Sequence, residues 1–175
     1  MTHHTPRLTT KDGEPLRWDS DAFPLVVAFP SDCPLSVVAS TVRAMEIWNR
    51  AAGEPLFALF GVMHDDFQVT VSAVEEELDP NDCGDFSDDL NDLGAIRSEN
   101  GHCDLWWDYG GVIVDASIVI TNYGRVYNVT TAVHELGHAL GFAHSKQPGA
   151  VMHPTQTGRR VSKRLAAMAR GAPNA

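Results

Sequence analysis

A chain of 175 residues with 43% apolar side chains can bury one core and suits one compact domain. Its formal charge is −10, from 13 basic and 23 acidic residues, so a phosphate backbone is repelled and no nucleic acid is expected as a partner. No apolar run approaches a membrane span and the first residues lack the apolar core of a secretory signal. The chain is therefore expected to be soluble, cytoplasmic on synthesis, without a membrane partner, and a monomer.

In chain order, residues 1–22 read as a loosely held N-terminal arm, with His3 and His4 part of an ordinary polar terminus, and residues 23–175 as a single domain. Phe23–Phe29 is a strand by its β-branched and aromatic character, and Pro30, Ser31 and Asp32 then make a turn. Val38, Val42, Met45 and Trp48 recur at helical spacing and predict a helix over Leu35–Ala52, stopped by Gly53. Leu56–Gly61 and the alternating Phe67–Val74 are further strands. Residues 75–92 are strongly acidic and broken by Pro80, Asn81 and Gly84, which reads as a long surface loop. Ca2+ is conceivable on its clustered carboxylates, but the EF-hand pattern fails: Leu90 stands at the twelfth position from Asp79, so a solvated loop is preferred. Leu105–Trp107 is a short strand, Val112–Thr121 a long β-branched one, and residues 159–170 a last helix with Val161, Leu165 and Met168 on one face. The order predicts an α/β (α+β) fold, a mixed twisted sheet backed by two long helices, with a C-terminal helix. Cys33, Cys83 and Cys103 form no CxxC pair, which excludes a four-cysteine zinc site. A Cys83–Cys103 disulfide is conceivable, and the missing signal favours reduced thiols.

The chemistry concentrates in residues 134–144, HELGHALGFAH. A helix beginning at Asn128 or Thr130 would bury Val129, Val133, Leu136 and Leu140 on one face and project both His134 and His138 from the flank away from the core. Two histidines four apart share one side of a helix and can bind one ion, and Glu135 is then placed to act on the water that ion activates. Gly141 ends the helix in a left-handed turn, so that the chain swings back and His144 reaches the same ion. A continuing helix would carry His144 about 9 Å past His138. Three neutral nitrogen ligands with an open fourth position describe catalytic rather than structural zinc, so the expected cofactor is one Zn2+. Glu135 would accept the proton of the attacking water and pass it to the departing amine.

This stretch resembles the long zinc signature HExxHxxGxxH of the metzincin metallopeptidases at every fixed position. Gly149–Pro154, GAVMHP, is similar to the methionine turn of that group in its matrixin version, with His153 where a tyrosine is usual, and WNRAAG resembles the end of a matrixin first helix. The resemblance covers Phe23 to Pro154 and implies a metzincin-like catalytic domain, zinc on His134, His138 and His144, Glu135 as catalytic base and Met152 as an apolar floor. His153 would contact substrate or the oxyanion by analogy with that tyrosine. The strand before the active helix resembles the substrate-binding edge strand of the family, which makes Ser117, Ile118, Val119 and Ile120 candidates for pairing with an extended peptide. Cleavage within a protein or peptide chain then follows. Two features of matrixins do not reappear. The arm has no inhibitory cysteine motif and Cys33 lies in none, while His64, Asp66 and His102 do not complete a second zinc site. Two other functions stay open: a catalytically silent zinc-stabilised peptide-binding module, against which Glu135 speaks, and a zinc amide hydrolase acting on a cell-wall peptide crosslink.

Overall fold

The computed structural model describes residues 5–60, 67–74, 96–98, 100–121, 129–155 and 160–170. The acidic stretch 75–92 with Cys83 and its calcium question, and His64 and Asp66, lie outside them. The described elements are β1 (Arg17–Trp18), β2 (Leu25–Ala28), α1 (Leu35–Ala52), β3 (Phe57–Leu59), β4 (Val69–Val74), β5 (Ile96–Ser98), β6 (Gly101–Trp107), β7 (Val112–Thr121), α2 (Val129–Ala139) and α3 (Lys163–Ala169). They form a mixed α/β architecture. No helix among the described residues is long and apolar enough to cross a membrane.

One seven-stranded sheet runs in the order β3-β2-β4-β7-β6-β5, with β1 added beside the start of β7. The strands β3, β2, β4 and β7 are mutually parallel, β6 is antiparallel to β7, and β5 is antiparallel to β6. Strand alternation decides which face is covered. Val69 and Val71 of β4, Ala116, Ile118 and Ile120 of β7, and Cys103 and Leu105 of β6 are buried, and they are cross-strand neighbours (Val71 opposite Ile118, Ile118 opposite Cys103). Thr70, Ser117, Val119, His102 and Asp104 between them are only half-buried. The helices cover the apolar face: α2 lies on β6 and β7, and α1 packs along α2 and α3.

The spans of α1 and β7 are those the spacing predicts. The buried stripe of α1 is Val37, Thr41, Ala44, Met45 and Trp48, so Val38 and Val42 stand at its flank. α3 is shorter than expected and starts at a true cap, the Ser162 hydroxyl accepting from Leu165 N–H at 3.1 Å.

Three expectations change. β6 begins at Gly101, four residues before the Leu105 start expected from the sequence, so Gly101–Asp104 are strand with alternate side chains buried. β7 is not an edge: Ala116–Thr121 pairs with β4 on one flank and with β6 on the other. Its backbone groups are committed to the ladder, so Ser117, Ile118, Val119 and Ile120 cannot pair with a peptide. The physical reason is that β4, distant in sequence, takes the flank opposite β6, a pairing that the composition of a single strand does not signal. Residues 5–18, thirdly, are not loose. Leu8, Leu16 and Trp18 are buried in the core, and Leu16 N–H donates to Leu8 O at 2.7 Å in a hairpin that folds back on itself.

Candidate metal centre

α2 supplies two of the histidines and its last turn supplies the geometry for the third. Gly141 takes φ +84°, the left-handed conformation that costs a residue without Cβ little. The Gly141 amide then donates to His138 O at 2.8 Å and the Phe142 amide to Gly137 O at 3.1 Å, the paired closure of a Schellman turn. The chain reverses, and His144 comes back to His134 and His138. The Nε2 atoms of the three rings lie 3.0 Å (His134–His138), 3.2 Å (His138–His144) and 3.3 Å (His134–His144) apart. Among the described residues this is the one group of side chains assembled to hold a metal ion.

The other ring nitrogens decide what these contacts are. His134 Nδ1 donates to Val151 O at 2.8 Å and His138 Nδ1 to Phe142 O at 2.7 Å. A carbonyl only accepts, so in both rings the proton sits on Nδ1 and the Nε2 carries a lone pair. Two Nε2 lone pairs facing each other cannot make a hydrogen bond. A cation between them is what the arrangement fits. Nitrogens at about 2.0–2.1 Å from a tetrahedral zinc lie about 3.3–3.4 Å from one another, so the triangle needs to open by only a few tenths of an ångström.

Burial keeps the rings in this neutral form. His134 and His138 are fully buried and His144 half-buried, which leaves one side of the cluster open to solvent. Burial pushes His134 down to about 4, with the Val151 hydrogen bond partly opposing it. His138 falls well below its usual range, through burial first and then the neighbouring His134 and His144.

The flank of α2 expected to face away from the core is covered as well. Every residue from Thr130 to Leu140 is buried, because β6 and the segment at Val151–Met152 close over the polar side of the helix. Glu135 is itself completely buried and its carboxylate lies against Gly101, where an added Cβ would stand 3.1 Å from Oε1. Cys103, a free and fully buried thiol, shares this wall. Burial raises it well above its ordinary value, and the nearby Glu135 charge adds to that. The sequence signal missed here was a glycine in a strand, which marks a close approach.

Met152 is fully buried beneath the helix, with its sulfur against Gly137. The amide of Ser145 donates to Met152 O at 2.8 Å and so ties the His144 turn to this floor. Trp48 of α1 supports the floor from below: its indole N–H donates to Val133 O at 2.9 Å and its ring stacks on Phe142 with centroids 6.0 Å apart. His153 Nδ1 lies 2.8 Å from the Thr155 hydroxyl and 3.3 Å from the Thr155 amide nitrogen, so its ring is tied to the turn that follows it. His102 stands on the opposite face of β6, with Nε2 3.8 Å from Asp104, away from the cluster.

The matrixin family model matches residues 41–167. Human (Homo sapiens) neutrophil collagenase is 44% identical to the chain over 54 residues, which is 30% of this chain and 12% of that protein, so the chain spans a small part of that relative's length. The matched residues run from inside α1 to inside α3 and enclose the helix, the returning turn and the floor described above; the chain belongs to the matrixin family.

Proposed function

We propose that this chain is a zinc-dependent endopeptidase that hydrolyses extended polypeptides, with His134, His138 and His144 as zinc ligands and Glu135 as general base. The observation that carries this reading is the convergence of the histidine Nε2 atoms, with the two buried rings turned lone pair inward by the Val151 and Phe142 carbonyls. A zinc ion bound there supplies a Lewis acid that polarises the scissile carbonyl and acidifies water. Glu135, next to the first ligand and walled in by β6, takes the proton of the attacking water and returns it to the departing amine nitrogen. Its burial excludes bulk water from that transfer. Substrate approaches on the side of the half-buried His144. The edge available to an extended peptide is the outer side of β5 and β6, because β7 is paired on both flanks.

Unfolded casein, incubated with and without a chelator, tests the reading. Glu135→Ala is expected to keep one tightly bound zinc and to lose at least about 10²-fold in rate. Full activity in the zinc-loaded variant would remove Glu135 from the reaction. Tight zinc without any cleavage would instead mark a peptide-binding module, and cleavage confined to cell-wall crosslinks an amide hydrolase of different specificity.

A further inference from the structure

A buried turn must find a donor for every carbonyl. At the end of α2 the carbonyls of Leu136, Gly137 and His138 accept from the amides of Leu140, Phe142 and Gly141. The carbonyl of Phe142 accepts from His138 Nδ1. The carbonyls in between are served from a distant stretch of the chain. The indole N–H of Trp18 donates to Ala139 O at 2.7 Å, the Arg7 guanidinium to Leu140 O at 2.6 Å, and the Leu8 amide to Gly141 O at 3.0 Å. In the other direction, the Ala143 amide, one residue before His144, donates to Pro6 O at 3.0 Å.

Arg7 does more than fill one acceptor. Its guanidinium carbon lies 4.5 Å from the centroid of the Phe142 ring, a cation–π contact, and its second terminal nitrogen donates to Met168 O in the last turn of α3. A cation at the C-terminus of α2 also complements the helix dipole. Arg7 thereby holds the residue whose carbonyl orients His138, and its neighbours hold the backbone from which His144 projects.

We propose that residues 5–18 form a clasp that positions the metal ligands, with Arg7 as its positioning residue acting through Phe142 on His138 and through the 141–143 backbone on His144. The clasp touches neither ion nor substrate. Its effect is on how well the rings converge, so it belongs in metal affinity and ligand geometry before it appears in rate.

The test uses the full chain with Arg7→Met, Arg7→Lys and Leu25→Ala, the last being a core truncation in β2 outside the clasp. Zinc affinity is measured by competition with a chromophoric chelator, cobalt-loaded protein by its visible spectrum, and stability by urea midpoint. Arg7→Met is expected to bind zinc about 10-fold more weakly, as loss of an outer support does, and to shift the cobalt bands. Arg7→Lys keeps the charge but cannot reach two carbonyls as a fork does, and falls between. Leu25→Ala lowers the urea midpoint and leaves both metal readouts alone. If Arg7→Met changes only the midpoint, as Leu25→Ala does, the clasp is scaffolding and the proposal fails. Should Arg7→Met not fold, Trp18→Phe, which removes only the donor to Ala139 O, takes its place, and unchanged zinc affinity there is equally fatal. The inference rests on the zinc reading above. An unmodified protein that binds no zinc overturns that reading, whereas tight zinc equal in both proteins overturns the clasp alone.

Discussion

Gly137 lies inside α2 between His134 and His138, where alanine would ordinarily stabilise by about 1 kcal/mol. The structure reverses that expectation. A Cβ there would stand 2.2 Å from Met152 Sδ, 3.0 Å from Met152 Cε and 3.2 Å from Trp48 Cζ2. Heavy atoms in good contact are about 3.5–4.0 Å apart, so the sulfur must retreat by about 1.5 Å. Trp48 cannot give way, being fully buried, bonded to Val133 O and stacked on Phe142. Met152 is fully buried as well, so the retreat repacks the floor. Overpacking of this kind costs about 1–3 kcal/mol, which leaves Gly137→Ala destabilised by up to about 2 kcal/mol after the helix gain is subtracted. Because Val151 precedes Met152 and its carbonyl orients His134, zinc affinity should fall with stability, by about 10-fold. A double-mutant cycle with Met152→Ala isolates the contact. Urea midpoints and zinc competition on the four proteins should show a coupling of about 1 kcal/mol or more between the two positions, the combined variant being better than the sum. If Gly137→Ala instead raises the midpoint by the ordinary helix increment, with no coupling to Met152, the floor does not press on the helix and the reasoning is wrong.

Gly101→Ala would put a Cβ 2.9 Å from Val119 O and 3.1 Å from Glu135 Oε1; the β7 backbone cannot yield, so the carboxylate moves. The expected outcome is a kcat lower by about 10²-fold at unchanged zinc stoichiometry, and a variant with full kcat would show that the base is not seated on β6. His144→Ala should weaken zinc clearly while the urea midpoint of the metal-free protein hardly changes, since this ring is half-buried; equal affinity in competition would take it out of the ligand set. The metal-free protein should lose stability in acid. His134 titrates near 4 in the fold against 6.5 when unfolded, so the unfolded chain binds the extra proton between those values. The contribution is present above pH 6.5 and lost as the pH falls toward 4, about 3 kcal/mol from this ring, with His138 acting in the same direction. Urea midpoints of chelator-treated protein at pH 7.5, 6 and 5 measure this, and a flat profile would refute it.

The parts of the centre that local rules govern were legible in the sequence. His134 and His138 at helical spacing, Glu135 beside the first and a glycine to turn the chain back each follow from the geometry of a single helix and its cap. α1 and β7 were legible for the same reason, one from apolar spacing and one from β-branched composition. What the sequence concealed is pairing at a distance. The composition of β7 says nothing of its flanks, and its pairing with both β4 and β6 is what removes the edge. Gly101–Asp104 places His102 and Asp104 on the half-exposed face of a strand, and two polar residues in four mask the alternation with Gly101 and Cys103. The polar arm carries few apolar residues, yet Leu8, Leu16 and Trp18 are enough to seat it, because its backbone and Arg7 find acceptors at the end of α2. No local pattern announces a carbonyl in need of a donor.

The sensitive positions of this centre are set by backbone rather than by ligand chemistry. Both buried rings are aimed by main-chain carbonyls, Val151 O and Phe142 O, so an error in ring direction begins as an error in chain path. The path is held where chain segments come closer than a side chain would allow. At Gly141 a Cβ would meet Leu16 O at 2.9 Å and the Arg7 guanidinium at 3.1 Å, at Gly137 it would strike the floor, and at Gly101 it would displace the Glu135 carboxylate. Each of these glycines joins the metal helix to a different partner: the arm, the methionine turn and β6. Substituting one leaves every ligand in the chain and still moves a ring or the carboxylate. Loss of metal affinity without loss of a ligand is therefore the signature expected of this architecture, and it separates a site built by converging backbones from one in which three histidines merely share a pocket.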